Sequence, residues 1–250
     1  MFSSAQRRVI ESLVLSNSSA NRIAAPNGGR VDVLARDREL ARLIPMDGAR
    51  RNGGLWAIEL RLDRGPWDPG SAEPEEDHLG FMVLDGLIGR RCLVPERGRS
   101  LELLGTGDLL RPWQEDAASF SEVSWSVIEP ASVAVLGDSV AAQAREMPEF
   151  LEALTERALR RSRRLAVSAA IANTVGVEDR LLLLLWQLAE LWGEKRRGGA
   201  LLPFRLSHQT LADLVGARRP TVTLAVRALT ERELLERAES GEWILPGSPP

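Results

Sequence analysis

Apolar residues recur along this chain with two different periods, and the change falls near residue 138. Before it they come in short runs separated by glycine and proline. GFMVLDGLIGRRCLV (Gly80 to Val94) holds two such runs around Asp85-Gly86, a dipeptide that favours a tight hairpin turn. LELLGTGDLL (Leu101 to Leu110) is a further run broken by two glycines, and VSWSVIEPASVAVL (Val123 to Leu136) supplies two more, with a turn expected at Glu129-Pro130. Runs of this length and spacing predict a compact antiparallel barrel or sandwich. Asp63 to His78 reads as a polar loop rich in proline and glycine, and short helices are expected within the first fifty residues.

After Asp138 the pattern is helical. Met147 to Val175 contains one proline, near its start, where a helix tolerates it. Leu151, Leu154, Ala158, Leu165, Ala172 and Val175 fall on alternating three- and four-residue steps, with Arg161 and Ser168 on the same stripe. That heptad-like seam suits a long helix paired with its symmetry mate, and periodicity alone equally allows a helix packed on its own domain. Arginines 157, 160, 161, 163 and 164 read as a solvated helix face. Val177 to Gly193 is a leucine-rich helix ended by glycine, with Trp186 and Trp192 as core or interface residues, and Gly199 to Ser207 reads as a short strand.

LSHQTLADLVGARRPTVTLAVRAL carries the most specific pattern. Ser207 is placed to cap a helix whose apolar face is Leu211, Ala212, Leu214 and Val215, and Gly216 stands where a terminating glycine belongs. Arg218, Arg219 and Pro220 open a second helix, with Val222, Ala225, Val226 and Leu229 facing inward. This is the sequence form of a helix-turn-helix. Leu234-Leu235, a polar turn at Glu239 to Gly241 and Trp243-Ile244-Leu245 then predict a two-stranded wing. In such a fold the second helix enters the major groove by its N-terminal end. Arg219 would lie there, with a planar fork that matches the two acceptors of guanine. Ser207, His208, Gln209, Arg218, Thr221 and Thr223 complete the expected DNA-binding set, chiefly as phosphate contacts.

Composition narrows the alternatives. The chain has 250 residues and a net charge of −3, so DNA binding requires a local patch and not a basic molecule. One cysteine, Cys92, excludes a four-cysteine iron–sulfur or zinc site. With two histidines and no metal or nucleotide motif, no enzyme chemistry is indicated. His78 is expected at the surface and Cys92 buried as a small apolar residue, so neither is read as a haem ligand. The longest greasy run, Leu181 to Leu185, is far short of a membrane span, and no secretory signal pattern is present; the chain is expected to be cytoplasmic.

On these residues the chain resembles the cyclic AMP receptor protein/fumarate–nitrate regulator (CRP/FNR) superfamily of bacterial transcription regulators. The resemblance covers most of the chain and is strongest from Leu206 to Gly247; VLDGLIGR followed by LELLGTGDLL is similar to the family's β-roll, and ASVAVL to its last strand. It implies an α+β fold: a cyclic-nucleotide-binding-like β-roll over 1–146, a dimerisation helix over 147–176 and a winged helix-turn-helix over 177–250. Gln209 and Thr221 match phosphate-contact positions and Arg219 the principal base-reading arginine. Pro220 stands where many members have a base-reading glutamate, and Leu224 where some have a second arginine. The glycine-aspartate pair implies an effector pocket near Gly105, Gly107, Asp108, Leu109 and Trp113. Cyclic-nucleotide-binding members carry an arginine-serine that holds the phosphate, and Ser119 to Trp125 contains no arginine. No cofactor is identified; the effector is an unknown small molecule or none, and cyclic AMP response is not expected. The expected partners are a near-palindromic double-stranded operator, a second copy of the chain, and RNA polymerase. The alternative is a degenerate member that mediates protein–protein contact with weak or no DNA binding.

Overall fold

The computed structural model describes residues 29–44, 54–69, 78–96, 98–112 and 120–250. Half of the loop read at Asp63 to His78, residues 70–77, lies outside them, as does Trp113. The N-terminal strands are β1 (Arg30–Asp32), β2 (Trp56–Leu62), β3 (Gly65–Trp67), β4 (Gly80–Val94), β5 (Gly98–Leu104), β6 (Leu109–Leu110) and β7 (Glu122–Leu136). They form one antiparallel sheet in the order β1-β2-β7-β4-β5, with β3 added to β7 and β6 to β4. Successive residues of β4 serve opposite faces, as strand geometry requires. Phe81 and Val83 join Leu60, Trp67, Ile88 and Val133 inside the roll. Met82 and Leu84 pack on the other side against helices α1 (Val33–Arg36) and α2 (Arg38–Leu43) and the helices that come after β7.

Neither Asp85-Gly86 nor Glu129-Pro130 is a turn. β4 and β7 each run unbroken for 15 residues and pair along most of their length. The ladder passes from Asp85↔Ser132 to Leu87↔Glu129, so Pro130 and Ala131 of β7 oppose the single residue Gly86 of β4. Proline cannot donate to a ladder, and a bulge is where a sheet accommodates it. Gly86 takes φ +83° at this point. Both dipeptides are the two sides of one bulge.

The C-terminal half contains α3 (Asp138–Arg145), α4 (Pro148–Ala172), α5 (Val177–Trp192), α6 (His208–Val215) and α7 (Arg219–Glu231). Strands β8 (Glu194–Arg196), β9 (Gly199–Leu202), β10 (Glu236–Arg237) and β11 (Trp243–Pro246) pair in the order β10-β11-β9-β8. The wing is therefore half of a four-stranded sheet, larger than the two-stranded hairpin expected. Leu184, Leu188, Leu211, Val222, Leu229 and Trp243 form its core together with α5. Each fully buried leucine there contributes about 1.5–3 kcal/mol relative to exposure. Leu101 and Leu103 of β5 belong to the same cluster, so the winged-helix core takes in one edge of the roll.

The arginines of α4 do not form one solvated face. Arg157 is buried and forms a two-bonded pair with buried Asp37, at 2.6 and 2.9 Å, and also reaches Glu39. Arg161 grips Glu102 of β5 at 2.6 and 2.8 Å, and Arg164 bonds Asp108 while lying over the Trp192 ring. Arg160 and Arg163 are exposed, as expected. The guanidiniums at 157, 161 and 164 recur every three or four residues and so share one flank of the helix, the flank that docks on the roll.

Candidate nucleic-acid interface

Ser207 caps α6 by accepting from the Thr210 amide at 3.1 Å. At the other end Gly216 takes the left-handed conformation (φ +63°, ψ 39°), which lets its amide and that of Ala217 return to the Ala212 carbonyl and turns the chain. Arg218 then occupies the N-cap of α7 with no side-chain cap bond, and Pro220 sits in the first turn, where the missing N–H costs nothing. The first-turn amides of α7, those of Arg219 and Thr221, receive no side-chain cap from Arg218. Both arginines are exposed, and neither pairs with a carboxylate among the described residues.

Val222, Ala225 and Leu229 bury one side of α7, which leaves Pro220, Thr223, Leu224 and Arg227 on the opposite side. Thr223 donates to the Arg219 carbonyl at 3.0 Å, and its hydroxyl also lies 3.0 Å from Nδ1 of His208. His208 stacks on Trp243. Burial first, then Arg237 and Arg219, hold its imidazole below the ordinary histidine value. Thr221 is exposed at the start of α7. The predicted residues thus gather around the junction of α6 and α7, with Gln209 engaged elsewhere: its Nε2 donates to Asp213 at 2.8 Å.

Asp213 was legible only as a polar position on α6, and it is the residue that sequence reasoning missed. It is 3% exposed, and besides Gln209 it receives Arg91 of β4 at 3.1 Å and Arg99 of β5 at 2.7 Å. A buried acid on an otherwise apolar helix face was the available signal. It ties the first helix of the helix-turn-helix to the β4–β5 hairpin of the roll.

The stripe of α4 left open is not the one periodicity suggested. Leu151, Ala158, Leu165 and Ala172 are exposed, and Val175 beyond the helix end is 90% exposed. Leu154, however, is buried in its own chain, Arg161 is bound to Glu102, and Ser168 donates to Gln187. The second line of the open face is instead Thr155, Ser162 and Ala169, one residue further on each time.

Of the expected effector residues, Leu109 lines a cavity of about 460 Å³ between the roll and α4, together with Arg90, Arg111, Trp125, Arg161 and Leu165. These arginines supply the cations that the segment Ser119 to Trp125 lacks, yet they are engaged: Arg111 donates to the His78 carbonyl and Arg161 to Glu102. Gly107 and Asp108 face a second cavity of about 480 Å³ on the other flank of α4, beside Trp192, and Gly105 packs against Trp192 itself. His78 is buried, contrary to expectation, accepting from the Gly80 amide at 3.1 Å. Burial lowers its basicity, Asp138 opposes this and Arg111 adds to it. Cys92 is half-buried, more open than a core cysteine.

These elements define a class: a β-roll joined through a long helix to a winged helix-turn-helix with an open recognition helix. Residues 179–246 match the family model of the Crp-like helix-turn-helix domain. The chain is 27% identical over 165 residues to the CRP-like cAMP-activated global transcriptional regulator of Mycobacterium tuberculosis, covering 64% of this chain and 73% of that one. A cyclic nucleotide-binding domain containing protein from Listeria monocytogenes shares the fold at a TM-score of 0.59 and 14% identity, over 84% of this chain and 93% of the other. The c-di-GMP responsive global regulator CLP of Xanthomonas campestris does so at 0.55 and 19%, over 82% and 100%. Residues 179–246 are thus a Crp-like helix-turn-helix domain, and the chain shares the fold of these solved structures. Among the described residues no helix is long and apolar enough to cross a membrane.

Proposed function

We propose that the protein acts in the cytoplasm as a homodimer that binds a near-palindromic DNA site, each half-site read by one α7. RNA polymerase is then its expected partner in transcription. The observation that carries this reading is the N-terminus of α7, where Arg218 and Arg219 are exposed beside uncapped amides. Arg219 reads guanine; Arg218, Thr221, Ser207 and the amides hold phosphates, with His208 and Thr223 setting the junction. Half-sites lie roughly 10 bp apart, centre to centre. Selection from genomic fragments should return such a palindrome, and Arg219→Ala should weaken binding to it by about 1–3 kcal/mol and relax one base position. A variant that binds every site as the wild type does would remove Arg219 from the groove.

Dimerisation rests on the open stripe of α4, where Leu151, Ala158 and Leu165 are exposed with small residues between them. Leu165→Glu places a charge in that seam. Sedimentation should then show monomer at micromolar concentration, and operator affinity should fall on the order of 100-fold as the two half-sites cease to be linked. A dimer unchanged by this substitution puts the interface elsewhere.

We further infer that cyclic AMP does not control this protein. The guanidiniums of Arg111, Arg157 and Arg161 around the roll–α4 cavity are committed to His78, Asp37 and Glu102, so a cyclic phosphate would have to displace them. Operator affinity measured with and without cyclic AMP should be the same, and a tightening by cyclic AMP would refute this part of the reading.

A further inference from the structure

The face of α7 turned away from its own core is apolar at its centre. Leu224 is 67% exposed, and Pro220 lies one turn before it on the same face. Two of the polar residues beside them are already engaged within the chain. Thr223 gives its proton to the Arg219 carbonyl, and Arg227 pairs with Glu231 at 2.7 Å. A single exposed leucine on a protein surface is ordinary. This one sits on the face that must enter the major groove if Arg219 is to reach a base, and its significance rests on that DNA-binding reading. A leucine in the groove has one apolar partner to choose from: the 5-methyl group of thymine is the only hydrocarbon on a major-groove base edge.

We propose that Leu224, backed by Pro220, is a specificity-determining residue that selects a thymine by contact with its 5-methyl group. The departure from the family's charged residues at 220 and 224 is then an exchange of hydrogen-bond readout for apolar readout. Five residues separate Leu224 from Arg219, about 7.5 Å along the helix axis, which is roughly two base-pair rises. The thymine therefore lies within two to three base pairs of the guanine read by Arg219. Substitution of the leucine leaves the fold intact, because the side chain contributes nothing to the core of the winged helix.

The test uses the full-length protein and the operator returned by selection. Each thymine in the half-site is replaced in turn by deoxyuridine, which removes the methyl group and no hydrogen bond, and affinities are measured by fluorescence anisotropy. Replacement in both half-sites should weaken wild-type binding about 10-fold at one thymine near the guanine, and should change binding of Leu224→Ala less than about twofold. Leu224→Met should retain the sensitivity. If the wild type binds its operator and no thymine-to-uracil change affects it, the inference is wrong while the DNA-binding reading stands. It is equally wrong if Leu224→Ala keeps the full sensitivity, or if the position selected is a cytosine whose 5-methyl form alone tightens binding. If the wild type selects no sequence, the underlying reading fails and takes this inference with it.

Discussion

Arg157→Met should destabilise the protein by about 3 kcal/mol, at the lower end of the cost of breaking a buried ion pair. Asp37 would be left buried and charged on the inner side of α2. It keeps two donors, the amides of Glu39 and Leu40 at 3.1 and 3.0 Å, which is why the upper end of the range is not reached. In the wild type, burial pushes the Asp37 carboxyl upward, but Arg157 and those two amides outweigh it and hold the group below its ordinary value of 3.8. That lowering sets the sign of the pH dependence. A carboxylate lowered on folding contributes stability that is fully present above its unfolded value and is lost as pH falls through its folded value. The wild type should therefore keep this contribution at pH 5 and shed it below about pH 4. Without Arg157 the carboxyl rises, so this loss on acidification should shrink, and it reverses if burial carries the carboxyl above its unfolded value. Urea unfolding at pH 7 and pH 5 reads both effects. Adding Asp37→Asn to Arg157→Met should recover part of the loss; if the double variant is less stable by the sum of the two single changes, the pair is not coupled.

Gly86→Ala should be comparably damaging for a different reason. A β-carbon at this position would stand 2.2 Å from the Pro130 carbonyl oxygen and 2.5 Å from the Ala131 α-carbon, both backbone atoms that the paired strands hold in place. The residue also sits at φ +83°, where a side chain is strained. Together these should cost on the order of 3 kcal/mol or more. Gly98→Ala is the control, since its β-carbon would meet nothing within 4 Å; its stability should change by less than about 1 kcal/mol. Thermal unfolding of the two variants side by side settles whether the bulge is a requirement of the roll. Equal melting temperatures would show that the strands adjust around the extra carbon.

These two sites mark where local sequence rules stopped being informative. Asp-Gly and Glu-Pro are turn dipeptides when nothing else pairs with them. Here each lies inside a 15-residue strand whose partner supplies the matching irregularity, and a pairing across more than forty residues leaves no trace in a short window. The α4 seam was legible along one of its two lines only. Leu151, Ala158, Leu165 and Ala172 were legible as one line, but three- and four-residue steps fit lines on both flanks of a helix. Which flank is open depends on where Asp37, Glu102 and Asp108 stand to receive arginines. The winged helix was read far more fully, because its signals are local: the Ser207 cap, the Gly216 break, and Pro220 in the first turn. Asp213 lay within that segment and was still missed, since its partners come from β4 and β5, more than 100 residues earlier.

The Asp213 contact has a mechanical meaning. The winged helix is attached to the rest of the chain at several places: through the backbone at Gly176, where Trp192 packs against Gly105, where Gln187 meets Ser168 and Arg164, where the Arg205 amide donates to Glu129, and where Asp213 receives Arg91 and Arg99. The backbone link and Trp192 lie at opposite ends of α5, and Asp213 is on another helix. A rigid body held at two points can still turn about the line between them; held at a third point off that line, it cannot turn at all. Asp213 therefore adds a restraint off the axis of α5, and a swing of α7 relative to the roll has to take two guanidiniums off one carboxylate.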